Sequence, residues 1–218
     1  MGHLYVKYVW EVPVRVTHWV IAVSIIILSV TGIYIGIPKT LALNPSQFVM
    51  GWVRFVHFVA AYAFAISVLA RIYWMFAGNR YANWREFLPI MTDEGHRNMI
   101  ETFKYYAFIS KKTPRVAGHN ALAGAAYAGV FALYLVMICT GFALYSERAP
   151  QSVMHKLTGW LFALFSSQGM RLTHHMVMWF LIAFAIHHVY SAWLMDMKEK
   201  SGVISSIFTG YKAVREKD

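Results

Sequence analysis

The polarity pattern of the chain is dominated by four long apolar runs separated by polar connections. They cover about residues 15–36, 51–78, 121–145 and 172–195. A bilayer core takes about 20 helical residues to cross, and each run is long enough. A backbone in hydrocarbon must satisfy its own polar groups, so the runs are expected to be helices rather than strands. The connections differ. Residues 37–50 are short, with Pro38, Asn44 and Pro45 as breakers. Residues 79–120 are long and polar, with a surface helix expected over 93–110. Residues 146–169 contain an apolar, amphipathic stretch too short to span, "QSVMHKLTGWLFALFSSQ", which reads as an interfacial helix. The tail from 198 to 218 is basic and expected to be ordered only in part. The expected fold is an all-α integral membrane four-helix bundle with interfacial helices, forming a single domain over 1–218.

Composition agrees. Of 218 residues, 58% are apolar and only 14% charged, where a soluble domain is about a quarter charged. The formal charge is +10, but no basic tract interleaved with aromatics suggests nucleic acid. Membrane orientation accounts for the excess better. With the N-terminus inside, the inner segments hold Lys7, Arg15, Arg71, Arg80, Arg85, Arg97, Lys104, Lys111, Lys112, Arg115, Lys198, Lys200, Lys212, Arg215 and Lys217. The outer segments hold Lys39, Arg54, Arg148, Lys156 and Arg171. Both termini are therefore expected in the cytoplasm. Trp10, Trp19, Trp52, Trp74 and Trp193 lie near span ends, as an aromatic belt requires. The basic start and apolar core of the first span resemble a secretory signal, but no small-x-small cleavage site follows, so the segment reads as a retained helix. The single cysteine, Cys139, reads as a packing residue; there is no C-x-x-C-H for covalent haem attachment.

The chemistry lies in the histidines. "MRLTHHMVMWFLIAFAIHHVYSAW" (170–193) carries two histidine pairs inside an apolar run. An unsatisfied imidazole in hydrocarbon costs several kcal/mol, so such residues point to function. At about 100° and 1.5 Å per residue, His174 and His188 fall within about 40° of one face and about 21 Å apart along the axis. His18 lies near the inner end of the first span and His57 near the outer end of the second. Matching by depth gives two pairs, His57 with His174 outside and His18 with His188 inside. Two imidazoles from facing helices suit a haem iron with no open position, which favours electron transfer. Gly32 follows His18 by 14 residues and Arg71 follows His57 by 14. Gly32 would let a ring approach the backbone at the outer haem, and Arg71 would pair with a propionate at the inner one; helix packing and snorkelling are the plainer readings. Thr31–Gly32 and Thr140–Gly141 form matching pairs near the outer ends of the first and third spans. His175 and His187 read as hydrogen-bonding residues rather than ligands. His119 could contact a propionate or quinone, or cap its helix, while His3, His96 and His155 read as solvated. For the four proposed ligands the alternative is interhelical hydrogen bonding in a haem-free transporter or scaffold. No nucleophile–base pair, nucleotide loop or carboxylate dyad points to independent catalysis.

Five stretches, "YVWEVPVRVTHW", "MGWVRFVHFVAAYAFAISVLARIYWMFAGNRY", "KYYAFISKKTPRVAGHNALA", "CTGFALYSE" and "ISSIFTGYKAVRE", together resemble the b-type cytochrome subunit of membrane-bound nickel–iron hydrogenases, in the same order over nearly the whole chain. The second-span block and "GFALYSE" separate this group from the related membrane subunits of formate dehydrogenase and thiosulfate reductase. The resemblance implies a subunit with two b haems in a bacterial inner membrane. It would anchor a periplasmic hydrogenase, accept electrons from the iron–sulfur small subunit and through it from the nickel–iron large subunit, and reduce membrane quinone. It places His18, His57, His174 and His188 at the ligand positions. Family members have Trp before the first fourth-span ligand, Leu-Gly after the histidine pair and Pro after "GHN"; here Thr173, Met176–Val177 and Ala121 stand instead. Arg71, His119 and Tyr105 or Tyr106 are the quinone candidates, and 37–50 and 151–168 the expected docking segments. A cytochrome serving formate dehydrogenase or another periplasmic oxidoreductase is the related alternative.

Overall fold

The computed structural model describes residues 4–37, 47–88, 92–107, 109–110 and 121–215. The element order is β1 (Leu4–Tyr8), α1 (Val12–Gly36), α2 (Val49–Ala77), α3 (Trp84–Phe87), α4 (Asp93–Tyr106), α5 (Ala121–Ser146), α6 (Val153–Thr158), α7 (Leu161–Leu164), α8 (Ser167–Glu199), α9 (Val203–Thr209) and β2 (Tyr211–Arg215). The fold is all-α. Four helices, α1, α2, α5 and α8, are long and apolar enough to cross a membrane. They leave Ile26, Val30, Ile66, Phe76, Ile186 and Val189 exposed. So much exposed apolar surface suits lipid and not water. Pro13 sits in the first turn of α1, where its missing N–H has no helical partner to lose.

The chain divides into two compact units. One comprises Thr17–Leu69 and Leu133–Ala185. All four long helices contribute to its buried core, through Ile21, Phe64 and Val68, Tyr134, and Leu181. α2 and α5 meet along a ladder of rings. Phe58 lies 4.5 Å from Tyr145, Tyr62 5.1 Å from Phe142, and Phe64 5.1 Å from Tyr134. These spacings and tilted geometries are those that aromatic quadrupoles favour. After α5 the expected single interfacial helix is instead two short ones, α6 and α7. The break falls at Gly159–Trp160: a Cβ at Gly159 would lie 2.4 Å from the His155 carbonyl and 2.7 Å from its Nε2. α7 is pinned by a small cluster of Ala143, Leu161 and Met170. Glu147, just beyond α5, accepts a short hydrogen bond from Ser167 Oγ and pairs with Arg171 at 2.9 Å, tying α5 to the start of α8.

The other unit comprises Met1–Val16, Ala70–Ala132 and Ile186–Asp218. Its main feature is absent from the helical reading of the sequence. β1 and β2 pair antiparallel, Leu4 opposite Arg215 through Tyr8 opposite Tyr211, so the tail is structured as far as Arg215. Gly210 accepts the N–H groups of Val9 and Trp10 at 2.8 and 3.1 Å. Trp10 Nε1 donates to Ser206 Oγ at 3.1 Å, and Arg15 donates to the Phe208 carbonyl at 2.5 Å. Gly210 has φ 89°, and a Cβ there would lie 2.6 Å from the Tyr8 ring and 2.8 Å from the Trp10 carbonyl. A second knot forms around Glu11. Its carboxylate accepts from Trp74 Nε1 at 2.9 Å and from the Asn79 backbone N–H at 2.8 Å, while Asn79 Nδ2 donates to the Val9 carbonyl at 3.0 Å.

Gly210→Ala should cost about 1–2 kcal/mol from the left-handed backbone alone, with the contact to Tyr8 adding to it. Gly129→Ala, where nothing lies within 4 Å, should gain up to about 1 kcal/mol of helix propensity. Thermal unfolding in detergent should therefore separate the two in opposite directions. Ser167 and then Arg171 hold the Glu147 carboxyl below its ordinary value of 4.5. A group with a lowered folded-state pKa contributes stability that is present above its unfolded value and lost as pH falls. The α5–α8 tie should thus weaken below about pH 4.5, and Glu147→Gln should flatten that acid limb in a pH series of melting curves.

Candidate functional site

Threonine placed one residue before glycine recurs on α1 and α5, and each pair meets a histidine. Thr31 Oγ1 lies 2.8 Å from His57 Nδ1, and Thr140 Oγ1 lies 2.9 Å from His174 Nδ1. The glycines make room. A Cβ at Gly32 would sit 3.4 Å from His57 Cε1, and one at Gly141 would sit 3.1 Å from His174 Cε1. At Gly32 the ring that faces the backbone in this structure is His57's imidazole, at ordinary contact distance. The same device appears twice: α1 supports a histidine of α2, and α5 supports a histidine of α8. All six residues belong to one compact unit. Among the described residues, no hydrogen bond engages either Nε2. Two half-buried imidazoles, one on α2 and one on α8, each tied at Nδ1, form a donor set that fits an iron macrocycle bound through Nε2.

His175, next to His174, turns away from this pairing. Its Nδ1 lies 2.8 Å from the Arg171 carbonyl, one turn back. A Cβ at Gly36 would come within 2.6 Å of its Nε2, so Gly36 is a close-approach position on α1. The reading of His175 as a hydrogen-bonding residue agrees with this contact. Cys139 does not pack inward: it is exposed. One residue is about 100° on a helix, and Thr140 takes the inward direction. His155 is not simply solvated either. Its Nδ1 lies 3.3 Å from the buried Ser146 hydroxyl, and its ring stacks on Phe162 with centroids 6.0 Å apart. His96 is exposed, as expected.

The remaining candidates fall in different places. His18 belongs to the unit that holds His57 and His174, and His188 belongs to the other. His188 is half-buried, with Tyr127 edge-on at 5.8 Å, whereas His187 is exposed and has the Ser191 hydroxyl at 3.5 Å from its ring nitrogens. Arg71 is buried, only 7% exposed. Both of its terminal nitrogens lie 3.4 Å from the Ala82 carbonyl. A guanidinium this buried does not snorkel to water, which removes the plainer sequence reading. His119 and most of the 37–50 loop lie outside the described residues, as does His3. Tyr105 and Tyr106 end α4, but their side chains lie outside the described set. Sequence reading noticed the two Thr-Gly pairs without assigning them a partner. The available signal was their placement at the depth of His57 and His174.

Residues 9–210 match the family described as prokaryotic cytochrome b561. A protein of Cupriavidus necator named probable nickel–iron hydrogenase B-type cytochrome subunit is 42% identical, over 96% of this chain and 88% of its own length. The similarly named protein of Bradyrhizobium diazoefficiens is 41% identical over 96% of this chain and 87% of its own. The protein of Escherichia coli named probable nickel–iron hydrogenase 1 B-type cytochrome subunit is 34% identical over 94% of this chain and 90% of its own length.

The two glycine contacts differ in tightness, which orders their variants. Gly141→Ala should lower haem retention more than Gly32→Ala, because a 3.1 Å approach forces the ring to move and a 3.4 Å approach does not. Haem absorbance per mole of purified protein checks the order. Equal retention in both variants would contradict it.

Proposed function

Because the chain belongs to the prokaryotic cytochrome b561 family, we propose that it is the membrane subunit that carries electrons from a periplasmic nickel–iron hydrogenase to quinone. As a b-type cytochrome it is an electron-transfer subunit rather than an enzyme in its own right. The observation that carries the reading is the twinned Thr–His–Gly arrangement around His57 and His174, a ligand setting repeated on two helix pairs.

His57 and His174 would hold an outer b haem, and His18 and His188 an inner one, within one domain spanning the chain. The haems, when bound, supply one-electron redox chemistry, the protein setting their potential through ligands, burial and nearby charge. Gly32 keeps the α1 backbone close to the outer site. Arg71, buried at the Ala82 carbonyl, would place a fixed positive charge for a propionate at the inner site. Arg71, His119 and Tyr105 or Tyr106 are the residues proposed to meet quinone. The hydrogenase small subunit, with its iron–sulfur centres, would dock on 151–168 and 37–50, and through it the nickel–iron large subunit. The membrane is the bacterial inner membrane, with both termini on the cytoplasmic side. Two features support that topology: the skew of Lys and Arg between the two sets of connections, and the pairing of β1 with β2, which sets Leu4–Tyr8 and Tyr211–Arg215 side by side.

His57→Ala and His174→Ala should each remove the same haem and leave the other. His18→Ala and His188→Ala should remove the second. Pyridine-haemochrome stoichiometry with redox-resolved spectra of the purified variants tests the pairing, and equal loss of both haems from all four variants would overturn it.

A further inference from the structure

The hydroxyls of Thr31 and Thr140 have one hydrogen each, and the structure shows where it goes. Thr31 Oγ1 lies 2.6 Å from the Ile27 carbonyl, four residues back, and Thr140 Oγ1 lies 2.7 Å from the Val136 carbonyl. These are full O–H···O hydrogen-bond lengths, and a carbonyl can only accept. Back-bonding of this kind is a common use of threonine within helices. Each hydroxyl has therefore donated its hydrogen to its own helix. What it offers the imidazole, at 2.8 and 2.9 Å, is a lone pair. The hydrogen on that contact must come from Nδ1. A neutral imidazole carries one ring hydrogen, so Nε2 is left with its lone pair.

We propose that Thr31 and Thr140 are positioning residues. They hold His57 and His174 in the Nδ1–H tautomer, aim both Nε2 lone pairs at one metal, and lower that haem's reduction potential. The inference rests on the outer-haem reading given above. A group that accepts from Nδ1–H makes the ring a stronger donor to iron and favours the oxidised metal. Fixing the tautomer before the metal arrives also removes the population of rings that would present an N–H to it. The adjacent glycines are part of the device. With a Cβ at Gly141 the ring would be pushed from the helix whose threonine it must reach, while one at Gly32 would sit at ordinary contact distance from the His57 ring. Each threonine holds a histidine of the next long helix, so the two halves of the ligand pair are set independently by the same means.

The test uses valine, which keeps the shape of threonine without the hydroxyl, and serine, which keeps the hydroxyl. In optical redox titrations of the haem-loaded full chain, Thr31→Val and Thr140→Val should each move one haem wave to higher potential. It should be the same wave in both, with the other unmoved, and Thr31→Ser and Thr140→Ser should stay at the wild-type value. Retained haem with no shift in the valine variants would overturn the inference, as would serine variants that shift as far as valine. Nitrogen-15 spectra of the ring nitrogens in the haem-free full chain read the tautomer without any metal. The expected result is protonated Nδ1 and unprotonated Nε2 at His57 and His174, giving way to mixed tautomers in the valine variants. Hydrogen on Nε2 in the wild-type chain overturns the proposal even if a valine variant fails to load haem. If His57→Ala and His174→Ala remove different haems, the outer-site pairing is wrong, while the nitrogen spectra still decide the tautomer.

Discussion

A polar ring among apolar helices must be satisfied from within the protein, because lipid offers it no partner. Much of the candidate site follows from that constraint. His57 and His174 are each tied at Nδ1 to a threonine whose own hydrogen is used on its helix backbone. A bond from a side chain to a neighbouring helix requires the two to come close, and Gly32 and Gly141 provide the room. A short hydrogen bond, a missing Cβ and a helix contact are thus one solution to one problem, and it appears twice. The result is a pair of imidazoles held at one nitrogen and open at the other, which is the state a metal ligand needs.

The other unit solves the same problem with charge. Glu11 and Arg71 are both ionisable groups near the ends of apolar helices, and a buried ion is costly unless it is paired and hydrogen-bonded. Glu11 is engaged by Trp74 and Asn79, and Arg71 by the Ala82 carbonyl. Asn79 in turn organises the chain leaving α2, accepting from the N–H groups of Tyr81 and Ala82. The terminal strands and Gly210 close over the start of α1. The buried guanidinium is therefore carried by a hydrogen-bonded scaffold, so its charge stays at a fixed place.

Much of this was legible in the chain. Four apolar runs gave four helices with ends displaced by a few residues, the largest extension being α8, which reaches Ser167 and Glu199. His57 and His174 stood out because imidazoles are rare in hydrocarbon, and each meets a threonine of another long helix. The surface helix expected over 93–110 was readable from the polar connection, and it ends earlier, at Tyr106. The terminal strand pair was not. Leu4–Tyr8 and Tyr211–Arg215 are five residues each and separated by the whole chain, so neither carries a local signal, and their pairing is a tertiary event. The break between α6 and α7 was hidden because an amphipathic pattern does not reveal a glycine against a carbonyl. Cys139 was misplaced because a uniformly apolar helix does not show which of its faces is inward. The contacts of Thr31 and Thr140 leave no mark in the sequence, since the direction of a hydroxyl hydrogen follows from two distances at once.

The most direct test of the account is an anomalous-scattering map at the iron absorption edge, from crystals of the purified, haem-loaded chain. The account predicts two iron positions, one between His57 and His174 and one between His18 and His188, each with ring nitrogens on both sides. A map with no iron between His57 and His174 would contradict it.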